Sequence, residues 1–300
     1  MFYDCVIIGG GPAGLNAALV LGRARRKVAL FDANQPRNAV THASHGYLTQ
    51  DGVTPAEFRR IAYEEVLNYP TVEHYNDVVT EVKKIEKSFL ITTDQGQFQS
   101  RKVLVATGLK EVLPDINGIK EHYGKSIYSC PYCDGWELRD RPLIVVSDQP
   151  RVYHLAKLLY NWSHDLIVCT NGKSILNEEE KQKIIAKNII VTEQVVERFH
   201  GNDGHLAEVQ FTDGTWLKRT GSFITPKWFP QLDFLNNIDY EKNDNDAIQT
   251  DVMGKSSIPG LFAAGEATTG TSTQLIIAAA SGSIVAASIN LELTEGQFTF

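Results

Sequence analysis

The sequence predicts an α/β protein made of two Rossmann-like domains of the three-layer ββα type, the second inserted in the first. Three observations carry that reading. The chain opens with a strand, a glycine turn, a helix and a second strand; a similar run recurs near its middle; and two further strands ending in glycine turns lie near residues 103–108 and 260–267. At 300 residues and 43% hydrophobic, the chain can bury a substantial core, and its length suits two domains better than one.

The opening run is "YDCVIIGGGPAGLNAALVLGRARRKVALFD". Val6 to Ile8 form its apolar strand, Ala13 to Gly22 carry helical periodicity, and Val28 to Phe31 form the next strand. The middle run is "RPLIVVSDQPRVYHLAKLLYNWSHDLIVCT", with strands at Leu143–Val146 and Leu166–Cys169 around a helix that starts near Pro150. The stretches "SFLITTDQGQFQSRKVLVATG" and "AEVQFTDGTWLKRTGSFITP" alternate apolar and polar residues around a D-x-G turn, the pattern of an antiparallel hairpin. "NEEEKQKIIAKN" reads as a solvated helix face. The small and aliphatic residues after Thr271 to Thr273 read as a buried helix with a threonine-rich start. The expected boundaries are 1–112 with 247–300 for the first domain and 113–246 for the insert.

A net charge of −7 leaves no basic surplus for nucleic acid or anionic lipid. The start, "MFYDCVIIGG", lacks the basic segment of a signal peptide, and no uninterrupted apolar run reaches the roughly 18 residues of a membrane span. No membrane partner and a cytoplasmic location are therefore expected. Of four cysteines, Cys5 and Cys169 sit alone in apolar strands and read as core packing. The other two form "SCPYCDGWE", a C-x-x-C pair at Cys130 and Cys133 followed by Asp134. No second pair or histidine cluster accompanies them, so no metal site is expected.

Gly9-x-Gly11-x-x-Gly14 follows a strand and opens a helix, with Pro12 and Ala13 between the last two glycines, and Asp32 lies 18 residues beyond Gly14 at the end of the next strand. That is a dinucleotide fingerprint in its proper context. The glycines allow a tight turn and close approach of a pyrophosphate to the helix N-terminus, and Asp32 can accept hydrogen bonds from a ribose. Arg37, Asn38, His42 and His45 follow the acid and are candidates for the edge of the bound ring system, with surface placement the simpler reading for the histidines.

The fingerprint, "VLVATG" (Val103–Gly108) and "GLFAAGEA" (Gly260–Ala267) together resemble the flavoprotein disulfide reductases with two dinucleotide folds, over essentially the whole chain. The C-x-x-C followed by Asp-Gly within the insert resembles the low-molecular-weight thioredoxin reductases. The resemblance implies FAD as cofactor, held by Gly9, Gly11, Pro12, Ala13, Gly14, Asp32, Ala106, Thr107, Gly108, Gly265, Glu266, Thr273 and Gln274. Glu266 stands where the family usually has Asp, and the helix after Thr273 and Gln274 would aim its positive end at the flavin. It further implies that Cys133 exchanges electrons with FAD, that Cys130 meets the substrate, and that Asp134 manages the thiol proton. A homodimer acting on a dithiol or disulfide, either a small molecule or a thioredoxin-like protein, is the expected assembly.

In such a reductase a second glycine turn in the insert would bind NADPH. Here that turn reads Ser147-Asp148-Gln149-Pro150-Arg151, with a carboxylate where a pyrophosphate would rest, and Lys173 alone follows the next strand. Conventional NADPH binding is therefore not expected. "GRARRKVALFDANQPRNAVTHASHGYLTQDG" (22–52) with "CPYCDGWE" resembles the branch containing the gliotoxin and holomycin dithiol oxidases, which pass electrons to oxygen. Ferredoxin- or flavin-linked disulfide reductases and a non-enzymatic flavin redox sensor are the alternatives. The tail "EGQFTF" reads as a frayed end, its other reading placing Phe298 or Phe300 on a partner's flavin.

Overall fold

The computed structural model describes residues 1–298 and divides into two units. The first contains β1 (Phe2–Ile8), α1 (Pro12–Arg23), β2 (Val28–Phe31), α2 (Pro55–Leu67), β3 (Val72–Tyr75), β4 (Val79–Ile85), β5 (Ser88–Thr93) and β6 (Gly96–Val105). β7 (Leu109–Val112) leads the chain out of it. The second unit holds α3 (Ile119–His122), β8 (Ile127–Tyr128), α4 (Pro131–Asp134), β9 (Leu143–Val146), α5 (Val152–Leu159), β10 (Leu166–Cys169), α6 (Glu178–Ile185), β11 (Ile190–Thr192), β12 (Val196–Asn202), β13 (His205–Phe211), β14 (Trp216–Lys218) and β15 (Gly221–Ile224). β16 (Lys227–Pro230) brings the chain back, and β17 (Leu261–Ala263), α7 (Glu266–Thr269) and α8 (Leu275–Phe298) complete the first unit.

The seven-stranded sheet of the first unit runs β3-β2-β1-β6-β5-β4, with β17 also paired to β6. β3, β2, β1, β6 and β17 are parallel neighbours, whereas β4 and β5 add on antiparallel. Alternation along β1 sorts its side chains between two cores, as a period of two requires. Cys5 and Ile7 face α1 and α8 with Leu30, Leu104 and Phe262. Val6 and Ile8 face the hairpin layer of Val82, Phe89 and Ile91. The second unit repeats the plan around a parallel sheet β11-β10-β9-β15-β8. Leu143 and Val145 pack on α5, while Ile144, Val146 and Cys169 pack on the antiparallel sheet β12-β13-β14. Both units are thus three layers deep, helix over parallel sheet over β-meander.

The division departs from the expected boundaries in two places. The chain rejoins the first unit at Trp228 rather than at 247, because Leu232, Leu235 and Ile238 are buried against the hairpin layer of that unit. Val40–Thr54, expected in the first unit, packs with Glu111–Lys227 in the second.

α8 begins at Leu275, slightly later than the threonines suggested, and Thr273 N, just before it, donates to the Glu266 carboxylate at 2.7 Å. Among the described residues it is the helix long and apolar enough to cross a membrane by length and composition. One side of it packs along α1, burying Ala278, Gly282, Val285, Ala286, Ile289 and Leu293. The helix continues to an exposed Phe298 where a frayed end was expected, and Phe300 lies outside the described residues.

Candidate functional site

The turn from β1 into α1 is built by close backbone approach. A Cβ on Gly9, whose φ is +113°, would lie 2.3 Å from Ala106 O, and one on Gly14 would lie 1.9 Å from Gly9 O. Those positions tolerate no side chain. Gly11, by contrast, has open space where its Cβ would be, so its backbone faces the cleft. Pro12 occupies the first helical turn, where its missing N–H is no loss.

The cleft above this turn encloses about 800 Å³, solvent at its mouth included. Gly9, Gly11, Pro12, Ala13, Asp32, Ala106, Thr107, Gly108, Gly265, Glu266 and Thr273 all line it. Two expected residues do not. Gly14 serves the packing of α1 on β1, and Gln274 caps α8 through its carbonyl, which accepts from Ala278 N at 3.1 Å. Gly108 and Gly265 have φ of +64° and +65°, so the β6 and β17 turns also need glycine. Thr107 and Gln231 exchange hydrogen bonds at 3.1 and 3.3 Å, which brings Gln231 to the cleft wall.

Both acids of the cleft are already engaged by arginine. Asp32 Oδ2 accepts from Arg59 Nη2 and Tyr63 Oη, each at 2.6 Å, and Oδ1 accepts from Asn34 N at 3.2 Å. Burial alone would raise the Asp32 carboxyl, but the hydrogen bonds from Tyr63 and Arg59 outweigh it and hold the group below the usual carboxylate range. Glu266 Oε1 accepts from Arg37 Nη2 at 2.6 Å and from Thr273 N. Arg37 and Asn38 line the cleft, but the histidines grouped with them do not: His42 is exposed and His45 belongs to the second unit.

These features fit an FAD. Thr273 Oγ1 is buried without a hydrogen-bond partner at the cleft wall, as an atom awaiting a ligand would be. The bare Gly11 backbone and two guanidiniums suit a pyrophosphate, and Asp32 Oδ1 retains capacity to accept from a ribose hydroxyl.

In the second unit, Cys130 and Cys133 form a disulfide with Cα atoms 5.3 Å apart. Cys130 caps α4, with Pro131 at its first position, and Cys130 O accepts from Cys133 N and Asp134 N. Gly135 is required next, since a Cβ there would meet Pro131 O at 2.4 Å and the Trp162 ring at 2.9 Å. Tyr132 packs edge-on to Trp162 and stays exposed, as does Trp136, over which Arg139 lies at 4.0 Å. Asp134 is pushed up to about 7 by burial and by the neighbouring Glu137, against an opposing pull from His45. A carboxyl in that range can both give and take a proton near neutrality.

Ser147–Arg151, between β9 and α5, closes on itself. Ser147 Oγ and Thr225 Oγ1 lie 2.5 Å apart, Gln149 N donates to Ser147 Oγ at 3.1 Å, and Gln149 Nε2 donates to Thr225 O at 3.3 Å. Asp148 is exposed at this turn. Cys5 and Cys169 are both buried and reduced; burial raises the first thiol above its usual range and pushes the second up to about 11. Among the described residues no cluster of His, Cys, Asp and Glu could hold a metal ion.

Residues 3–152 match the family described as pyridine nucleotide-disulphide oxidoreductase. A probable thioredoxin reductase of Arthroderma benhamiae is 32% identical over 98% of this chain and 81% of its own length. Thioredoxin reductase aclD of Aspergillus oryzae is 31% identical over 88% of each chain. The crystal structure of TrxB from Bacillus anthracis superposes with a TM-score of 0.95 at 42% identity, covering 99% of this chain and 100% of that one. The thioredoxin reductases of this family are FAD-binding flavoproteins. The glycine-lined cleft, the cysteine pair and these likenesses together place the chain in the pyridine nucleotide-disulphide oxidoreductase family, as a thioredoxin reductase-like oxidoreductase.

Proposed function

We propose that the protein is a homodimeric FAD enzyme that moves two electrons between the Cys130/Cys133 pair and a dithiol or disulfide substrate, without conventional NADPH binding. The observation that carries this reading is the Cys130–Cys133 disulfide with Asp134, poised near 7, next in the chain.

The chemistry of the chain's own residues follows from that arrangement. In the oxidising direction a substrate thiolate attacks Cys130 Sγ, the disulfide breaks, and Cys133 leaves as a thiolate that takes the proton of Asp134. The second substrate thiol returns a proton to Asp134, and its sulfur then displaces Cys130 from the mixed disulfide. The products are an oxidised substrate and two reduced cysteines. Run in reverse, the same steps reduce a disulfide. FAD, when bound, supplies the two-electron oxidation or reduction that resets the cysteine pair. Gly9, Gly11, Asp32, Arg37, Arg59, Thr107, Glu266 and Thr273 would hold it.

The case against NADPH rests on the turn after β9, whose polar groups bond one another and which presents Asp148 rather than a bare glycine backbone. Anaerobic mixing tests this reading. Dithiothreitol is expected to bleach the yellow protein, while micromolar NADPH bleaches it at least about 100-fold more slowly, a difference of about 2.7 kcal/mol in barrier. Rapid reduction by NADPH would overturn the reading of this turn. Oxygen consumption with small dithiols then identifies an oxidase, disulfide reduction driven by reduced ferredoxin identifies the opposite direction, and turnover in neither assay identifies a sensor.

The dimer is supported by Ile277, Ile284, Leu291 and Phe298, exposed at seven-residue intervals along α8. That spacing keeps them on one stripe. A second copy would cover such a stripe, so the wild type should sediment as a dimer and Ile284→Glu as a monomer. A monomeric wild type at micromolar concentration would remove the dimer from the proposal.

A further inference from the structure

The loop Val40–Thr54 belongs to the second unit and is tied into a fixed shape. Ser44 N donates to Val53 O at 2.7 Å, Gly52 N to Ser44 O at 3.0 Å, and Gly46 N to Asp51 Oδ1 at 2.8 Å. Gly46, Thr49 and Gly52 take left-handed φ values of 77°, 77° and 82° to close it. The loop sets the His45 ring between two carboxylates: Nδ1 is 3.5 Å from Asp51 Oδ1, and Nε2 is 3.5 Å from Glu137 Oε1. Glu137 lies three residues after Asp134, and its other oxygen, Oε2, is buried without a hydrogen-bond partner. Glu137 and His45 both act electrostatically on Asp134, in opposite senses. Asp134, Glu137 and Arg141 all act electrostatically on Tyr128 of β8, which therefore faces the same cluster.

We propose that His45 is a positioning residue of the redox centre: its ring, strapped across Asp51 and Glu137, favours the carboxylate that Asp134 becomes when the disulfide opens. This rests on the reading of Asp134 as the proton carrier. Opening of the disulfide by a substrate thiolate leaves the bonding pair on Cys133 Sγ. Asp134 gives its proton to that sulfur and becomes a carboxylate, so two acids, Asp134 and Glu137, would otherwise stand ionised together beside a partly buried bridge. The His45 ring favours that state until the second substrate thiol returns a proton to Asp134. No electron passes through His45, and no other reactant is needed. The sequence reading could not reach this role, because it placed His45 near the cofactor acid in the first unit.

The test uses the reduced holoprotein and follows iodoacetamide alkylation of Cys130 and Cys133 by mass spectrometry between pH 5 and 9. Besides the rise set by ionisation of the thiols themselves, the wild-type rate profile should carry a second break, on its acid side, that Asp134→Asn removes. His45→Gln should move that break up by about 0.5–1 pH unit, since the ring that favoured the ionised acid is gone. Glu137→Gln should move it down by a similar amount, and His45→Arg, which places a cation there, should not move it up. Cys5 and Cys169 should stay unmodified in every folded variant. An unmoved break in His45→Gln, an equal upward displacement in His45→Arg, or movement of the Gln variants in the same direction would each overturn the proposal. An acid-side break that survives in Asp134→Asn would instead sink the assignment of Asp134, whichever way the His45 variants behave.

Discussion

Cys133→Ser is expected to give a folded, yellow protein whose dithiol or disulfide turnover falls by about 1,000-fold or more. The disulfide bridges a separation of three residues. Closing so short a loop contributes only about 2 kcal/mol in the chain-entropy estimate, so losing it should leave the fold intact. The two sulfurs differ by one atom from serine, and the surrounding supports do not depend on the bond: Gly135 still sits under Trp162, and Cys130 O still accepts the α4 amides. Among the described residues, those that line the cofactor cleft belong to the first unit, so flavin content should match the wild type. What disappears is the leaving group. A serine oxygen at this position can neither close a disulfide with Cys130 nor depart as a stable anion near neutral pH, and no second cysteine substitutes, because Cys5 and Cys169 are buried in the two cores. Steady-state thiol–disulfide assays beside flavin absorbance provide the measurement. Turnover within about tenfold of the wild type would mean that the pair is structural.

The sequence was most legible where hydrophobic period and glycine punctuation agreed. β2, β9 and β10 fall on the residues expected for them, since short all-apolar runs bounded by turn residues permit little else. α6 carries the capping box of Asn177 and Glu180, although its exposed face gave no hint of function. Long-range packing was the illegible part. Nothing local in residues 228–246 says which core will take Leu232, Leu235 and Ile238, and the assignment of Val40–Thr54 depends on a surface contributed from beyond residue 110.

The same contrast holds at the site. Glycines and acids in strand-to-helix turns announce a cleft because the backbone itself must approach the ligand. The groups that hold those acids arrive from elsewhere: Arg59 and Tyr63 reach Asp32 from α2, and Arg37 reaches Glu266 across 229 residues. Arg59 and Tyr63 stand one helical turn apart on α2, the signal by which they were findable. Gln231 and Glu137 offered no comparable pattern.

Gly282→Val is expected to destabilise the protein by about 3 kcal/mol and to weaken FAD retention at least about tenfold, a combined effect that follows from one contact. A Cβ at Gly282 would lie 2.0 Å from Ala13 O and 2.8 Å from Ala13 C, so α8 would have to move away from α1 or bend. Neither is easy, because Ala278, Val285, Ala286 and Ile289 on the same side of α8 are buried in the core they share with α1. The displacement would fall on the cofactor cleft as well, since Ala13 in α1 and Thr273, Leu275 and Ala278 around the start of α8 all line it. Thermal unfolding should therefore show a lower midpoint that excess FAD partly restores, as binding to the native state alone requires. Gly296→Ala on the same helix is the control: nothing lies within 4 Å of its added Cβ, and a helical alanine should be neutral or stabilising by up to about 1 kcal/mol. Wild-type stability and flavin content in Gly282→Val would show that α8 does not approach the fingerprint turn, and with that the cleft described above would lose one of its walls.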